Sequence, residues 1–227
     1  MLLELSLFGT MSDSYDCEMK AKLKKCMLVI KPNINFDQIA GNEYAKEIIK
    51  QSFIIPELHP HLFKNPGARP WQSILLYGPP GVGKTMLALS VCHHSKSNCF
   101  WVSQADIMSK FNGESEKLLN MLFELAIENA PSIILIDEMD SLGRTRTGGE
   151  CEMERRIKTE FLKQMDRIKI IPERVSVFAT TNVPWDLDVA AMRRFERKIM
   201  VPMPNLKARK KIIELNVGKH LTEKEID

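Results

Sequence analysis

The sequence predicts an α/β fold in which a five-stranded parallel sheet is sandwiched by helices. Five short apolar runs are separated by helical patterns, and strands that alternate with helices form parallel sheets. The run from Ile133 to Ile136 has no polar alternation, which is typical of a central strand buried on both faces. The predicted strands are residues 73–77 (SILLY), 99–103 (CFWVS), 132–137 (SIILID), 175–180 (VSVFAT) and 198–202 (KIMVP).

Amphipathic patterns predict the helices between and around these strands. In residues 42–56, Ala45, Ile48 and Ile49 lie at helical spacing, and the pattern stops at Pro56. Residues 1–30 are expected to be an N-terminal segment with a short linker helix, and residues 31–204 one α/β domain. Further helices are predicted at residues 84–91 (KTMLALSV), 115–129 (SEKLLNMLFELAIEN), 154–165 (ERRIKTEFLKQM) and 206–217 (LKARKKIIELNV).

Composition is that of an ordinary globular protein: of 227 residues, 44% are hydrophobic and 27% charged, with a net charge of +3. The basic residues are dispersed, so we expect no nucleic-acid partner. The apolar start of the chain is short and carries Glu4, which disfavours a signal peptide, and no run approaches the ~20 apolar residues of a membrane span. Five scattered cysteines suit a reducing compartment. These features predict a cytoplasmic protein without direct membrane insertion.

The stretch GPPGVGKT, residues 78–85, has the spelling of a phosphate-binding loop, G-x-x-x-x-G-K-[ST]. It follows a predicted strand and begins a helix, which is the context this motif requires. Glycines let successive backbone N–H groups turn toward phosphate oxygens, and the helix start adds its positive dipole end. Lys84 could then reach the β- and γ-phosphates, and the Thr85 hydroxyl could bind Mg²⁺. The nucleotide-binding residues predicted here are Gly78, Pro79, Pro80, Gly81, Val82, Gly83, Lys84, Thr85 and Met86.

Two carboxylates, Asp137 and Glu138, end the buried run of the third predicted strand. Alone they could be an acidic loop, but beside a phosphate loop a functional interpretation is favoured. Ligands bind at the carboxyl ends of parallel strands, and charges at the edge of a buried sheet need partners. We expect Asp137 to hold Mg²⁺ and Glu138 to act as general base toward the attacking water.

Three further polar side chains follow the fourth strand. Asn182 could be a turn residue, or it could orient the attacking water from the same sheet edge. Arg193 and Arg194 could form a solvated face, or they could stabilise transition-state charge as arginine fingers. The local helix is expected to carry both arginines away from the chain's own phosphate loop, so the site of a neighbouring subunit in a ring is the predicted target.

In this order the motifs resemble the AAA ATPases, and in detail their meiotic clade, with the vacuolar protein sorting-associated protein 4 family as the best fit. The resemblance covers residues 30–217 and includes KPNINFDQIAG, GPPGVGKT, IILIDEMDSL and TNVPWDLDVAAMRRFERKIMVPMPN. It implies a P-loop NTPase fold formed by an AAA large domain, with residues 205–227 as the start of a small helical domain that is largely missing.

The resemblance also implies an activity and partners. Members of this family form hexameric rings when full length, hydrolyse ATP with Mg²⁺, and thread ESCRT-III subunits through a central pore after peripheral recruitment to endosomal membranes. The segment Ile39, Ala40 and Gly41 would flank the adenine. Lys110, Phe111 and Asn112 match the first pore loop, residues 148–153 match the second, and Arg155 and Arg156 match positions that couple subunits.

Two other interpretations remain open from the sequence. The same motor could sever microtubules, as katanin and spastin do, or the chain could be a nucleotide-binding scaffold with little turnover. The presence of Lys84, Asp137 and Glu138 disfavours the scaffold. A membrane-anchored AAA protease is excluded for this sequence because it has no H-E-x-x-H motif.

Overall fold

The computed structural model describes residues 31–63, 69–103, 115–141 and 152–217. It contains five β-strands, which all pair in parallel in the order β2-β3-β4-β1-β5. The strands are β1 (Ser73–Tyr77), β2 (Asn98–Ser103), β3 (Ser132–Asp137), β4 (Val175–Thr181) and β5 (Arg197–Met200). The predicted parallel α/β class is therefore confirmed, with strand bounds within two residues of those expected.

Helices lie before, between and after the strands. They are α1 (Glu43–Ile49), α2 (Ile55–Leu58), α3 (Lys84–His94), α4 (Ser115–Glu128), α5 (Glu152–Arg167), α6 (Val189–Arg194) and α7 (Leu206–Val217). Short 3-10 turns are present at Phe36–Gln38, Pro60–Phe63, Met139–Ser141 and Pro184–Asp186. No helix in the described ranges is both long and apolar enough to span a bilayer.

The first helical region does not stop at Pro56, contrary to the sequence prediction. A π-helical segment, Lys50–Ile54, joins α1 to α2, and the Ile55 N–H is donated to the Lys50 carbonyl, five residues back. This wider turn places Pro56 within the first two positions of α2. A proline has no N–H to donate to the Ser52 carbonyl four residues back, and this carbonyl accepts from Arg174 Nη2 at 3.4 Å instead.

The inner strands β1, β3 and β4 are buried on both faces, as the β3 sequence predicted. Ile134 and Ile136 belong to the core that α4 and α5 cover, whereas Ile133 and Leu135 belong to a second core beneath α1 and α3. Because successive side chains of a strand point to opposite faces, a four-residue apolar run serves both cores. Between the two layers of helices, the carboxyl ends of β3, β4 and β1 lie side by side at one end of the sheet.

The far end of α3 is fixed to the first helical region. Phe36, which is buried, stacks on His94 with ring centroids 4.7 Å apart. Just beyond the helix, the Ser95 hydroxyl and the Lys96 N–H both donate to the Glu57 carboxylate, at 2.6 and 2.7 Å. These contacts hold the helix that carries Lys84 at its other end.

Candidate active site

The loop between β1 and α3 uses glycine for two different reasons. At Gly78, with φ at 150°, an added Cβ would lie 2.2 Å from the Val201 carbonyl oxygen, so the loop packs directly on the backbone that follows β5. Gly81 and Gly83 have φ of 78° and 92°, and a Cβ at either would meet nothing within 4 Å. The first glycine therefore permits a close backbone approach, whereas the other two allow the left-handed turns that curve the loop around open space.

Lys84, the first residue of α3, is held beneath this loop. Its Nζ donates to the carbonyls of Gly78 at 2.8 Å and Pro79 at 2.7 Å, and the residue is only 6% exposed. Burial lowers the pKa of Lys84 below the ordinary lysine value, while Asp140 and Asp137 act in the opposite direction. The loop and the two carboxylates thus keep one cation at the base of the cavity.

Asp137, at the end of β3, contacts two threonine hydroxyls. Thr85 Oγ1 lies 3.2 Å from both carboxylate oxygens, and Thr180 Oγ1 donates to Oδ1 at 2.5 Å. The next residue, Glu138, has φ at 54° and donates its N–H to the same Thr180 oxygen at 3.2 Å. A left-handed conformation is uncommon for a non-glycine residue, and residues held in uncommon conformations cluster at functional sites.

A second carboxylate fixes the segment that leaves β4. The Thr181 hydroxyl donates to Asp140 Oδ1, and the Asn182 N–H donates to the same oxygen at 3.2 Å. Asp140 therefore ties the turn after β3 to the turn after β4, and this places Asn182 at the same sheet edge as Asp137.

These elements surround one cavity of about 320 Å³. Its open side lies against Gly81 and Gly83, where added side-chain atoms would meet empty space, so an extended polar group such as a phosphate fits. The Thr85 hydroxyl and the Asp137 carboxylate are hard oxygen ligands 3.2 Å apart, which suits Mg²⁺. The lining residues are Pro80, Gly81, Gly83, Lys84, Thr85, Met86, Asp137, Glu138, Thr180 and Asn182.

Not every residue predicted for nucleotide binding lines this cavity. Gly78 and Pro79 contact Lys84 instead, Val82 packs against the core beneath α1 and α3, and the segment from Ile39 to Gly41 lies elsewhere. The Ile39 carbonyl accepts from Lys46 Nζ at 2.6 Å, and a Cβ on Gly41 would be 2.9 Å from the Ala208 Cβ of α7. A second cavity, of about 420 Å³, is lined by Gly41, Asn42, Glu43, Asn205, Lys207, Ala208 and Lys211.

The two arginines of α6 do not line the cavity either. Arg194 is held by Asp166, with its Nη2 and Nε at 3.0 and 3.3 Å from Oδ2, and its Nη1 donates to the Ala190 carbonyl. Arg193 is exposed at the surface. Lys110, Phe111 and Asn112, predicted for a pore loop, lie outside the described residues, as do residues 148–151.

Sequence reasoning missed two residues of this site, Thr180 and Asp140. A signal for each was present: FATTN ends a buried strand with two hydroxyl residues, and DEMD carries a second aspartate two residues after Glu138. Neither pattern indicates which partner the side chain meets, because those partners lie 41 to 43 residues away in the chain.

Comparison with known proteins agrees with this fold and motif set. The profile of the ATPase family associated with various cellular activities (AAA) matches residues 74–203. Over 203 residues the chain is 45% identical to the mouse vacuolar protein sorting-associated protein 4B, which covers 88% of this chain and 45% of that protein. It is 44% identical over 208 residues to the meiotic spindle formation protein mei-1 of Caenorhabditis elegans, covering 89% of this chain and 44% of that protein.

A solved structure from work on katanin self-assembly superposes with a TM-score of 0.76 at 40% identity, covering 92% of this chain and 68% of that one. The chain spans a little under half the length of the two curated relatives. The family profile covers more than half of the 227 residues, with its phosphate loop and acidic strand end inside the match. The chain belongs to the AAA family of ATPases.

Proposed function

We propose that this protein hydrolyses ATP at the cavity beside β1, β3 and β4, and that it works as a hexameric AAA motor which threads and disassembles ESCRT-III polymers. One observation carries the proposal of hydrolysis. A phosphate loop, a buried lysine, two carboxylates and an amide from three different strands line the same 320 Å³ cavity. Such a set serves hydrolysis, since a site for binding alone has no need of Glu138.

Each group has a role that follows from its chemistry. Lys84 and the N–H groups of the loop bind the phosphates, and Thr85 with Asp137 holds the metal ion. When bound, Mg²⁺ neutralises charge on the β- and γ-phosphates. Glu138 accepts a proton from the attacking water, and Asn182 orients that water from the neighbouring strand.

The ring is proposed because the site lacks a cation for the transition state from its own α6. Arg193 and Arg194 lie outside the cavity, which supports action on a neighbouring subunit. In such a ring, Lys110, Phe111 and Asn112 would grip the substrate polypeptide in the pore, and Ile39 to Gly41 would flank the adenine beside α7.

The similarity to vacuolar protein sorting-associated protein 4B supports ESCRT-III subunits as substrate and a cytoplasmic location with recruitment to endosomes. A second candidate function is microtubule severing. It is favoured by the similarity to the meiotic spindle protein and by the katanin superposition. Neither candidate involves nucleic acid.

Hydrolysis is tested with Glu138→Gln, which keeps the shape of the side chain and removes the base. The variant should bind ATP as the wild type does and lose at least about 100-fold in kcat, the usual contribution of a general base. Glu173→Gln, on an exposed loop, is the matched control and should retain full turnover. Undiminished hydrolysis by Glu138→Gln would refute the assignment.

The substrate is tested by using Glu138→Gln, held in its ATP state, to capture tails of ESCRT-III subunits or of tubulin. Selective capture of ESCRT-III tails supports the first function, and selective capture of tubulin tails replaces it with the second. Phe111→Ala should abolish capture while sparing ATP binding. Capture that persists in this variant argues against the pore assignment.

A further inference from the structure

The Thr180 side chain lies between the two residues that carry the acidic chemistry of the site. The register of the sheet explains why: Ile136 of β3 pairs with Ala179 of β4, so the next residues along, Asp137 and Thr180, come level with each other. Thr180 is 3% exposed and lines the cavity. Its hydroxyl therefore faces the site from within the sheet edge.

This hydroxyl makes two contacts of opposite sense. It donates to Asp137 Oδ1 at 2.5 Å, and it accepts the Glu138 N–H at 3.2 Å. A hydroxyl has one proton to donate and lone pairs that accept, so a single atom serves both neighbours. Serine can do the same, whereas valine has the shape of threonine but neither donates nor accepts.

The two contacts restrain the two acidic residues, Glu138 and Asp137. The ladder between β3 and β4 ends at Ile136, so the Glu138 N–H lies beyond it and has the Thr180 oxygen as its partner. Glu138 also has φ at 54°, and such a conformation persists only where its surroundings impose it. The Thr180 contact is therefore part of what fixes the direction of the Glu138 side chain.

The second contact orients Asp137. Thr85 approaches the same carboxylate only at 3.2 Å, and Thr85 is itself a proposed metal ligand. If Thr85 turns to a metal ion, the bond from Thr180 remains to hold Asp137 in place. Groups that hydrogen-bond a metal ligand from behind commonly set its orientation.

We propose that Thr180 is a positioning residue for the hydrolytic site, which sets Asp137 for metal binding and Glu138 for proton transfer through one hydroxyl. This inference rests on the proposed function, since it assigns Thr180 a part in ATP hydrolysis. It also predicts an effect on metal binding that does not depend on turnover.

The test compares Thr180→Val, which is isosteric and lacks the hydroxyl, with Thr180→Ser, which keeps it. At saturating Mg²⁺, Thr180→Val should lower kcat by about 10-fold or more while KM for ATP changes less than about twofold, and Thr180→Ser should stay near the wild type. Thr180→Ala also removes the hydroxyl but adds no methyl group in its place. It replaces Thr180→Val as the test variant if the valine variant does not fold. Ser176→Ala, which removes a buried hydroxyl near the other end of β4, is the matched control.

A second measurement separates this inference from the proposed function. The affinity of the ATP complex for Mg²⁺, measured with a fluorescent ATP analogue, should fall about 10-fold in Thr180→Val and recover in Thr180→Ser. If the wild type binds Mg²⁺–ATP without hydrolysing it, the proposed function is refuted. The Mg²⁺ affinities of the variants then still decide whether Thr180 positions the site. Wild-type kcat and Mg²⁺ affinity in Thr180→Val, or equal losses in Thr180→Ser, would overturn the positioning role.

Discussion

Substituting alanine at Gly78 tests how the phosphate loop is built. The added Cβ would lie 2.2 Å from the Val201 carbonyl oxygen, whereas real Cβ contacts are essentially never below 3.0 Å. The backbones must therefore separate by at least 0.8 Å, the difference between these distances. The Val201 N–H donates to the Tyr77 carbonyl at 2.8 Å. A shift of that size along this hydrogen bond would lengthen it to about 3.6 Å, which is beyond hydrogen-bonding range.

The expected loss has two parts. A lost backbone hydrogen bond costs about 0.5–1.5 kcal/mol, and a non-glycine residue held at a φ of this kind costs about 1–3 kcal/mol. Gly78→Ala should therefore reduce the free energy of unfolding by about 3 kcal/mol, or lower Tm by at least about 6 °C for a domain of this size.

Gly81→Ala provides the comparison within the same loop. Its Cβ would meet nothing within 4 Å, so only the positive φ opposes the substitution. We expect a loss of about 1 kcal/mol, which corresponds to about 2–4 °C in Tm. Urea unfolding followed by circular dichroism measures both variants. If Gly78→Ala is no less stable than Gly81→Ala, the close approach to Val201 does not explain the glycine.

Three further predictions concern the site and its supports. Asp140→Ala should lower kcat about 10-fold because the Asn182 N–H loses its acceptor. Asp140→Asn keeps an oxygen at that place and should lose less activity. Equal losses in the two variants would contradict the role of Asp140 as the acceptor that positions Asn182. An equimolar mixture of Arg194→Ala and Lys84→Ala subunits should hydrolyse ATP at least about 10-fold faster than either alone, and no recovery argues against action between subunits. Burial lowers the pKa of His94 below 6.5, and the nearby His93 and Lys50 lower it further, while Asp37 acts in the opposite direction. The unfolded chain therefore binds a proton more readily than the folded chain does, so the free energy of unfolding should fall as pH drops below about 6.5. In His94→Gln, thermal unfolding should show a shallower pH dependence, whereas exchange of the exposed His61 should leave the slope unchanged.

Much of the fold was predictable because its signals are local. The strands of a doubly covered sheet are short apolar runs, and the helices between them have their own period, so each element could be read from its own residues. The end of the first helical region was predicted wrongly. Proline usually stops a helix, but here a π-helical turn at Lys50–Ile54 precedes Pro56, and the Ser52 carbonyl that the proline cannot serve accepts from Arg174.

Part of the candidate site could likewise be predicted from the sequence. GPPGVGKT lies in one stretch of chain, and its contacts, such as Lys84 with Gly78 and Pro79, span only five or six residues. Motif spacing therefore carries the information. The segment from Ile39 to Gly41 is different, because its neighbour α7 is more than 160 residues away in sequence, and residue spacing alone does not indicate that Gly41 meets Ala208.

By itself, the sequence determined the element order, the parallel class and the phosphate loop, since each depends on the spacing of nearby residues. The tertiary structure alone decided the strand order β2-β3-β4-β1-β5 and its register. An apolar run buried on both faces fits beside any similar run, so its pattern does not specify its neighbour. That pairing brings Thr180 to Asp137, across 43 residues, and Gly78 to the backbone of Val201. The residues that orient the site were therefore fixed by the register of distant strands, which no local pattern encodes.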